Sequence, residues 1–150
     1  VINPSAQLAR ARDAKRKNDM RVIKRALEAY SIDNGHYPIT GGYCCSYWIF
    51  STAAGSWITG LDPYLKAVPK DPKNNAAYPW ALTNTQFSYA YASAGPHYNL
   101  VGHLETAEDS LTCAKTGYYL FISSDSGTGS NWCVPASYNQ QIFTTTDLDL

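Results

Sequence analysis

The sequence predicts an α+β fold: one long N-terminal helix packed on a small antiparallel sheet of about four strands, with a long loop between them. Residues 5–33 are rich in helix-forming side chains and contain neither Gly nor Pro. Residues 36–85 carry many breakers, and after residue 85 apolar side chains recur with a period of two. A length of 150 residues suits one domain, divided here into helix (1–34), loop (35–85) and sheet with C-terminal region (86–150).

The helix is predicted to end at Asn34-Gly35, because Gly favours the left-handed cap and Pro38 follows where a helix could not continue. At about 100° per residue, the apolar side chains of its second half share one broad arc. We expect this arc to attach the helix to the sheet through Met20, Val22, Ile23, Ala26, Leu27 and Tyr30.

The first half of the helix lacks this pattern. Arg12, Lys15 and Arg16 occupy the arc that later carries the apolar side chains. Because a core would not bury three cations without partners, this half is predicted to project beyond the globular body, toward a membrane or other copies of the chain.

The loop and the sheet follow from local patterns. Asp62 as N-cap and Pro63 at the first helical position predict a short helix continuing through Lys66. Alternating residues predict strands at 87–92 and 98–104, joined by a hairpin turn that contains Gly95-Pro96. A third strand is predicted at 118–122, and a fourth at 132–134 or 141–144.

The four cysteines, Cys44, Cys45, Cys113 and Cys133, show no C-x-x-C spacing. An even number among Gly-, Ser- and Thr-rich loops favours disulfides in an oxidising compartment; free buried thiols and a metal or catalytic role are the alternatives. A bond between adjacent cysteines would strain the backbone, so each of the first pair is expected to join Cys113 or Cys133.

Positive charge is concentrated in the helix, although the chain has no net charge: eight of its twelve Lys and Arg residues lie between positions 10 and 25. Ion pairs within the helix (Asp13 with Lys17, Lys15 with Asp19) or with a neighbouring subunit explain this stretch, and contact with anionic lipid headgroups or nucleic acid is the alternative. Five of these cations fall within about 100° of arc and form the candidate polyanion contact: Arg10, Lys17, Arg21, Lys24 and Arg25.

No stretch of the chain reaches the ~20 apolar residues that a membrane span needs, and no signal peptide is present. The opening at Val1 lacks an initiator Met, so we expect the chain to be cut from something longer.

These residues carry a resemblance to a known family. QLARARDAKRKNDMR (7–21), ALEAY (26–30) and DNGHYP (33–38) closely resemble the lower half of the first helix, and the following turn, of type IV pilin-like proteins. LDPYL (61–65) and PKDP (69–72) look like the loop of major pseudopilins of type II secretion; FSYAY (87–91) and YNL (98–100) with Leu104-Glu105 are similar to their first strands. The resemblance covers roughly the first 105 residues.

The resemblance implies a pilin fold and a route of maturation and assembly. Such proteins carry a cleaved leader and then an apolar helix of ~20 residues that anchors the subunit in the inner membrane and later packs in the filament core. That segment is absent here, so this fragment is not expected to polymerise. Major pseudopilins often hold calcium in a C-terminal loop, for which Asp125 and Asn131 are the candidates; no other cofactor is expected.

The predicted function is structural: a subunit of a type IV pilus-like surface filament, with copies of itself and the assembly machinery as partners. The alternative within the family is a major pseudopilin of a periplasmic type II secretion filament. A glycan- or DNA-binding module is the alternative of another class. No enzyme is predicted, since His36, His97 and His103 are scattered and no catalytic motif occurs.

Overall fold

The structure, a computed structural model, describes residues 2–42, 45–77, 86–106 and 119–123 (backbone alone for Cys45 and for Tyr119–Ser123). Its first element is helix α1, Pro4–Asn34. The Asn3 side chain caps it by accepting hydrogen bonds from the backbone N–H groups of Ser5 and Ala6. Gly35 ends it at φ 75°, donating its N–H to the Ser31 carbonyl at 2.8 Å. The predicted helix and its predicted stop are confirmed.

An antiparallel sheet of four strands lies against α1: β1 (Ile49–Phe50), β2 (Ala90–Ser93), β3 (Tyr98–His103) and β4 (Tyr119–Ser123). The strands lie in chain order and each pairs antiparallel with its neighbours. The pairing of Tyr91 with Leu100 fixes the β2–β3 register, and Gly95 at φ 109° makes the predicted hairpin turn. Together with α1, these strands confirm the predicted α+β pilin fold.

The strand predictions differ from the structure in three places. The strand predicted at 87–92 is β2, which begins only at Ala90 and ends at Ser93. The third predicted strand is β4, shifted by one residue, but β1 was missed because a two-residue strand carries no alternating pattern. Both segments offered for the fourth predicted strand lie outside the described residues.

The long loop contributes to the core. Trp57, Ile58, Leu61 and Val68 are buried with α1 and the sheet, and the Trp57 ring donates its N–H to the Pro69 carbonyl at 2.9 Å. A loop carrying so many buried apolar side chains is held in one conformation by the same packing that holds the helix.

The short helix predicted after Asp62 was wrong. The Leu61 carbonyl accepts hydrogen bonds from the N–H groups of Tyr64 and Leu65, which closes one turn and no more. Pro69 disfavours helical geometry at Val68, and Val68 is itself buried in the core, so the chain must leave the turn within a few residues.

The segment after α1 covers the outer edge of β2 near its end. Tyr37 and Thr40 donate their backbone N–H groups to the carbonyls of Gly95 and Ser93 at 2.8 and 2.9 Å, and the Thr40 hydroxyl accepts the N–H of Ser93. With β1 on the rest of that edge, β2 is not left open for pairing with another chain.

Candidate functional site on the N-terminal helix

The helix surface is the candidate functional site, and its burial changes along its length. Residues 2–12 are all exposed or half-buried, and burial begins at Asp13. The structure places four of the predicted packing residues, Met20, Ile23, Ala26 and Leu27, in the buried core. Tyr30 is partly buried against that core, and Val22 is half-buried at its margin. The buried part of α1 therefore begins at Asp13, before Met20, the first of its buried apolar side chains.

The segment predicted to project carries a fully buried cation instead. Arg16 has no exposed surface, and its guanidinium forms a bidentate pair with Asp71, Nε and Nη2 lying 2.7 and 2.9 Å from the two carboxylate oxygens. Its Nη1 also donates to Asp13 at 2.8 Å and to Glu105 at 2.7 Å. The expectation that this half projects is therefore wrong from Asp13 onward, because the chain supplies the partners that a buried cation needs.

Two outer cations complete the group, which we call the Arg16 clamp: Arg12, Asp13, Arg16, Asp71, Lys73 and Glu105. Arg12 pairs with Glu105 through two hydrogen bonds of 2.6 and 2.8 Å, and Lys73 approaches the same carboxylate at 3.3 Å. Arg16 and Lys73 each lie 4.9 Å from the centre of the Phe87 ring. Three cations face three carboxylates, so the clamp is electrically neutral.

Asp13 has a second role at the end of β3. Its carboxylate accepts the backbone N–H groups of Glu105 and Thr106 and the Thr106 hydroxyl, at distances between 2.8 and 3.1 Å. These bonds satisfy backbone N–H groups that lie just beyond the end of β3. The clamp therefore joins α1, the loop and the chain beyond β3 at one point.

A second ionic contact lies one turn further along the helix. Lys15 pairs with Asp19 at 2.8 Å, which confirms one ion pair predicted within the helix. The buried carboxylate of Asp19 also accepts the Tyr89 hydroxyl at 2.7 Å. Burial raises the pKa of Tyr89, and this hydrogen bond raises it further, so the hydroxyl remains a donor.

The charges of the clamp persist at neutral pH. Partial burial by itself would raise the pKa of Glu105, but hydrogen bonds from Arg12 and Arg16 outweigh it and lower that pKa to about 2. Burial by itself would lower the pKa of Arg16, but its bonds to Asp71 and the other carboxylates raise it. The contact is therefore a fixed ionic link at any physiological pH.

The candidate polyanion-binding cations lie on the other side of α1. Arg10 and Arg25 are exposed; Lys17, Arg21 and Lys24 are half-buried. Lys24 approaches Glu28, one turn away, at 4.0 Å. The basic residues of the helix thus fall into one set around the buried Arg16 and a second set on the other side of α1.

Several predicted site residues lie outside the described part of the chain: Cys44, Cys113, Cys133, Asp125 and Asn131. Only the backbone of Cys45 is described, in a 3-10 helix spanning Cys45–Tyr47. Among the described residues, no group of three His, Cys, Asp or Glu is placed to hold a metal ion. In the same part of the chain, no helix is long and apolar enough to cross a membrane.

Sequence reasoning missed the two carboxylates that lie far from Arg16 in the chain. Asp71 is 55 positions from Arg16 and Glu105 is 89, so no local spacing connects them. The available signal was the misplaced Arg16 itself. A cation on the core-facing arc of a strongly predicted helix indicates buried acidic partners as well as projection.

Comparison with protein families gives one match: the family described as type II secretion system (T2SS), protein G, over residues 3–108. The matched range contains α1, the loop and strands β1–β3 together with the whole Arg16 clamp. Comparisons with curated proteins and with solved structures each gave no match.

Proposed function

Because this chain belongs to the family of type II secretion system protein G, we propose that it is a major pseudopilin, the structural subunit of a periplasmic filament that drives secretion. The observation that carries the proposal is the match over residues 3–108. It covers more than two thirds of the chain and nearly all of the described fold. The family is one of structural subunits, and the role proposed for this chain is assembly.

The shape of α1 supports this role. Its first turns lie outside the globular body, where they are accessible to neighbouring copies; Leu8, for example, is 59% exposed. The Arg16 clamp attaches the helix to the body directly after those turns. A filament needs each subunit to present its helix at a reproducible angle, and a buried ionic contact between three segments supplies a fixed one.

We favour a pseudopilus over the surface pilus that was predicted from the sequence. The family match names a secretion component, and it gives no support to adhesion or to an extracellular fibre. We accordingly place the subunit at the inner membrane before assembly and in the periplasm afterwards. Its partners are then other copies of itself and the secretion apparatus.

Deletion of the gene in the native host tests the proposal. Exported substrates of the secretion system should accumulate in the periplasm of the deletion strain and return to the medium when the gene is restored. A strain carrying the empty vector is the control. Normal secretion together with loss of surface fibres, scored by electron microscopy with an antibody against this chain, would contradict the proposal and establish a surface pilus.

A further inference from the structure

The outward side of α1 carries a basic stripe, defined as Arg10, Lys17, Arg21, Lys24 and Arg25. These residues fall within about 100° of arc and extend along about 22 Å of helix. Ile32 lies on the same arc near the end of α1 and is 82% exposed. A row of cations with an exposed apolar side chain beside it is typical of a surface that contacts a lipid interface.

The net charge of the whole chain gives no attraction to a polyanion. The chain has twelve basic and twelve acidic residues, so its net charge is zero. Any affinity for a polyanion must come from local segregation of charge. The structure shows how that segregation arises: Asp13 and Asp19 are buried on the body side with Arg16, while Glu28 is the one described acidic residue of α1 that lies on the arc of the stripe, beside Lys24.

From this segregation we infer that the basic stripe docks α1 on anionic phospholipid headgroups. The choice of a membrane surface rests on the proposed function, which places the subunit at the inner membrane before assembly. The long Lys and Arg side chains reach phosphates while Ile32 enters the interface.

The described part of a second copy fits the stripe less well. Of the seven described carboxylates, Asp13, Asp19, Asp71 and Glu105 are held in the contacts given above, and the other three are exposed. Glu28 belongs to the stripe-bearing helix itself, and Asp33 accepts the Tyr64 hydroxyl at 2.9 Å. The described surface therefore offers no acidic patch that matches a basic stripe of this length.

Vesicle sedimentation tests the inference with the 150-residue chain. Binding to vesicles of phosphatidylcholine and phosphatidylglycerol in equal parts is compared with binding to phosphatidylcholine alone. The stripe variant is Arg21→Gln with Arg25→Gln. The matched control is Lys66→Gln with Lys70→Gln, which removes the same charge from the loop. Circular dichroism melting confirms that both variants remain folded.

The wild-type chain and the loop control should bind the anionic vesicles, more weakly as salt is raised, and the stripe variant should bind about tenfold or more weakly. Absence of binding, equal loss in both variants, or binding to duplex DNA that displaces the vesicles would overturn the inference. This assay needs no filament, so it can fail while the secretion test succeeds, and the reverse.

Discussion

Arg16 is a fully buried cation whose three carboxylate partners come from three segments of the chain: α1 itself, the loop, and the residues that follow β3. A buried ionic group of this kind is poor evidence of net stability, because burying the charges costs as much as their attraction returns. Removing one member is different, since the remaining charges stay buried without compensation. The clamp is therefore best understood as a device that fixes where the helix meets the body.

Arg16→Ala should destabilise the fold by about 3–5 kcal/mol, because Asp71 and Asp13 would remain buried without their cation. Arg25→Ala, which removes an exposed cation from the same helix, should change stability by about 0.5 kcal/mol or less. Urea unfolding followed by circular dichroism measures both. Equal effects of the two substitutions would show that the clamp carries no special energetic role.

Acid should weaken the fold in a defined pH window. The pKa of Glu105 is lowered from 4.5 to about 2 by the clamp, so the unfolded chain binds more protons between those values. Its contribution to stability is fully present above about pH 5 and is lost as pH falls toward 2. Burial, together with the charge of Arg16, lowers the pKa of His103 from 6.5 to about 3. The fold should therefore begin to lose stability as the pH falls below about 6.5.

Glu105→Gln tests the carboxylate part of this dependence. The variant should be less stable than the wild type at pH 7, yet its stability should change less between pH 5 and pH 2. Urea midpoints measured across that range provide the comparison. Parallel pH curves for the two proteins would mean that Glu105 does not contribute to acid sensitivity.

At the scale of elements, α1 and β3 approach closely at Gly102. A Cβ atom at this position would lie 2.6 Å from the Met20 methyl carbon and 3.2 Å from the Tyr89 ring. Gly102→Ala should destabilise the fold by about 1 kcal/mol, because the flexible end of the buried Met20 side chain must shift to admit the methyl group. Thermal or urea unfolding gives the value.

A second substitution identifies the cause of that effect. Met20→Leu removes the methyl carbon nearest to Gly102, so the two substitutions together should cost less than the sum of each alone. The double-mutant cycle reports this coupling directly. Strict additivity would mean that the helix–sheet contact at Gly102 is looser than the structure indicates.

Local signals were enough to predict the elements that depend on local chemistry. Gly35 ended α1 where predicted, and Gly95 made the β2–β3 turn, because a left-handed residue is needed in both places. β1 was beyond such signals, since Ile49 and Phe50 become a strand only by pairing with Tyr91 and Ala90, some forty positions later. The turn at Leu61 does not continue as a helix because Val68 is buried in the core, and this burial is likewise not visible in the local sequence.

For the candidate site, the positions of the charges along α1 can be read from the sequence, but the residues that they contact cannot. Arg16 is one of three cations on the core-facing arc of α1, and this pattern by itself predicts that the first half of the helix projects. The structure resolves the conflict through Asp71 and Glu105, contacts that no periodicity contains. Only the residues of α1 before Arg12 lie outside the described body, so the predicted length of projecting helix is too long.

At the scale of the whole molecule, each part of the described fold has a different role in the proposed filament subunit. A body built from sheet and loop holds the second half of α1, the clamp fixes the angle, and the first turns remain accessible. In the proposed function, these turns contact other copies of the chain within a secretion filament.

Photo-crosslinking in the native host tests that claim most directly. The full-length protein carries benzoylphenylalanine at Leu8 or, as a control, at Ala54, an exposed loop residue. Irradiation should give a ladder of self-adducts from Leu8, far fewer from Ala54, and none from Leu8 in cells that lack the rest of the secretion apparatus. Absence of self-adducts from Leu8 in cells that secrete normally would contradict the account.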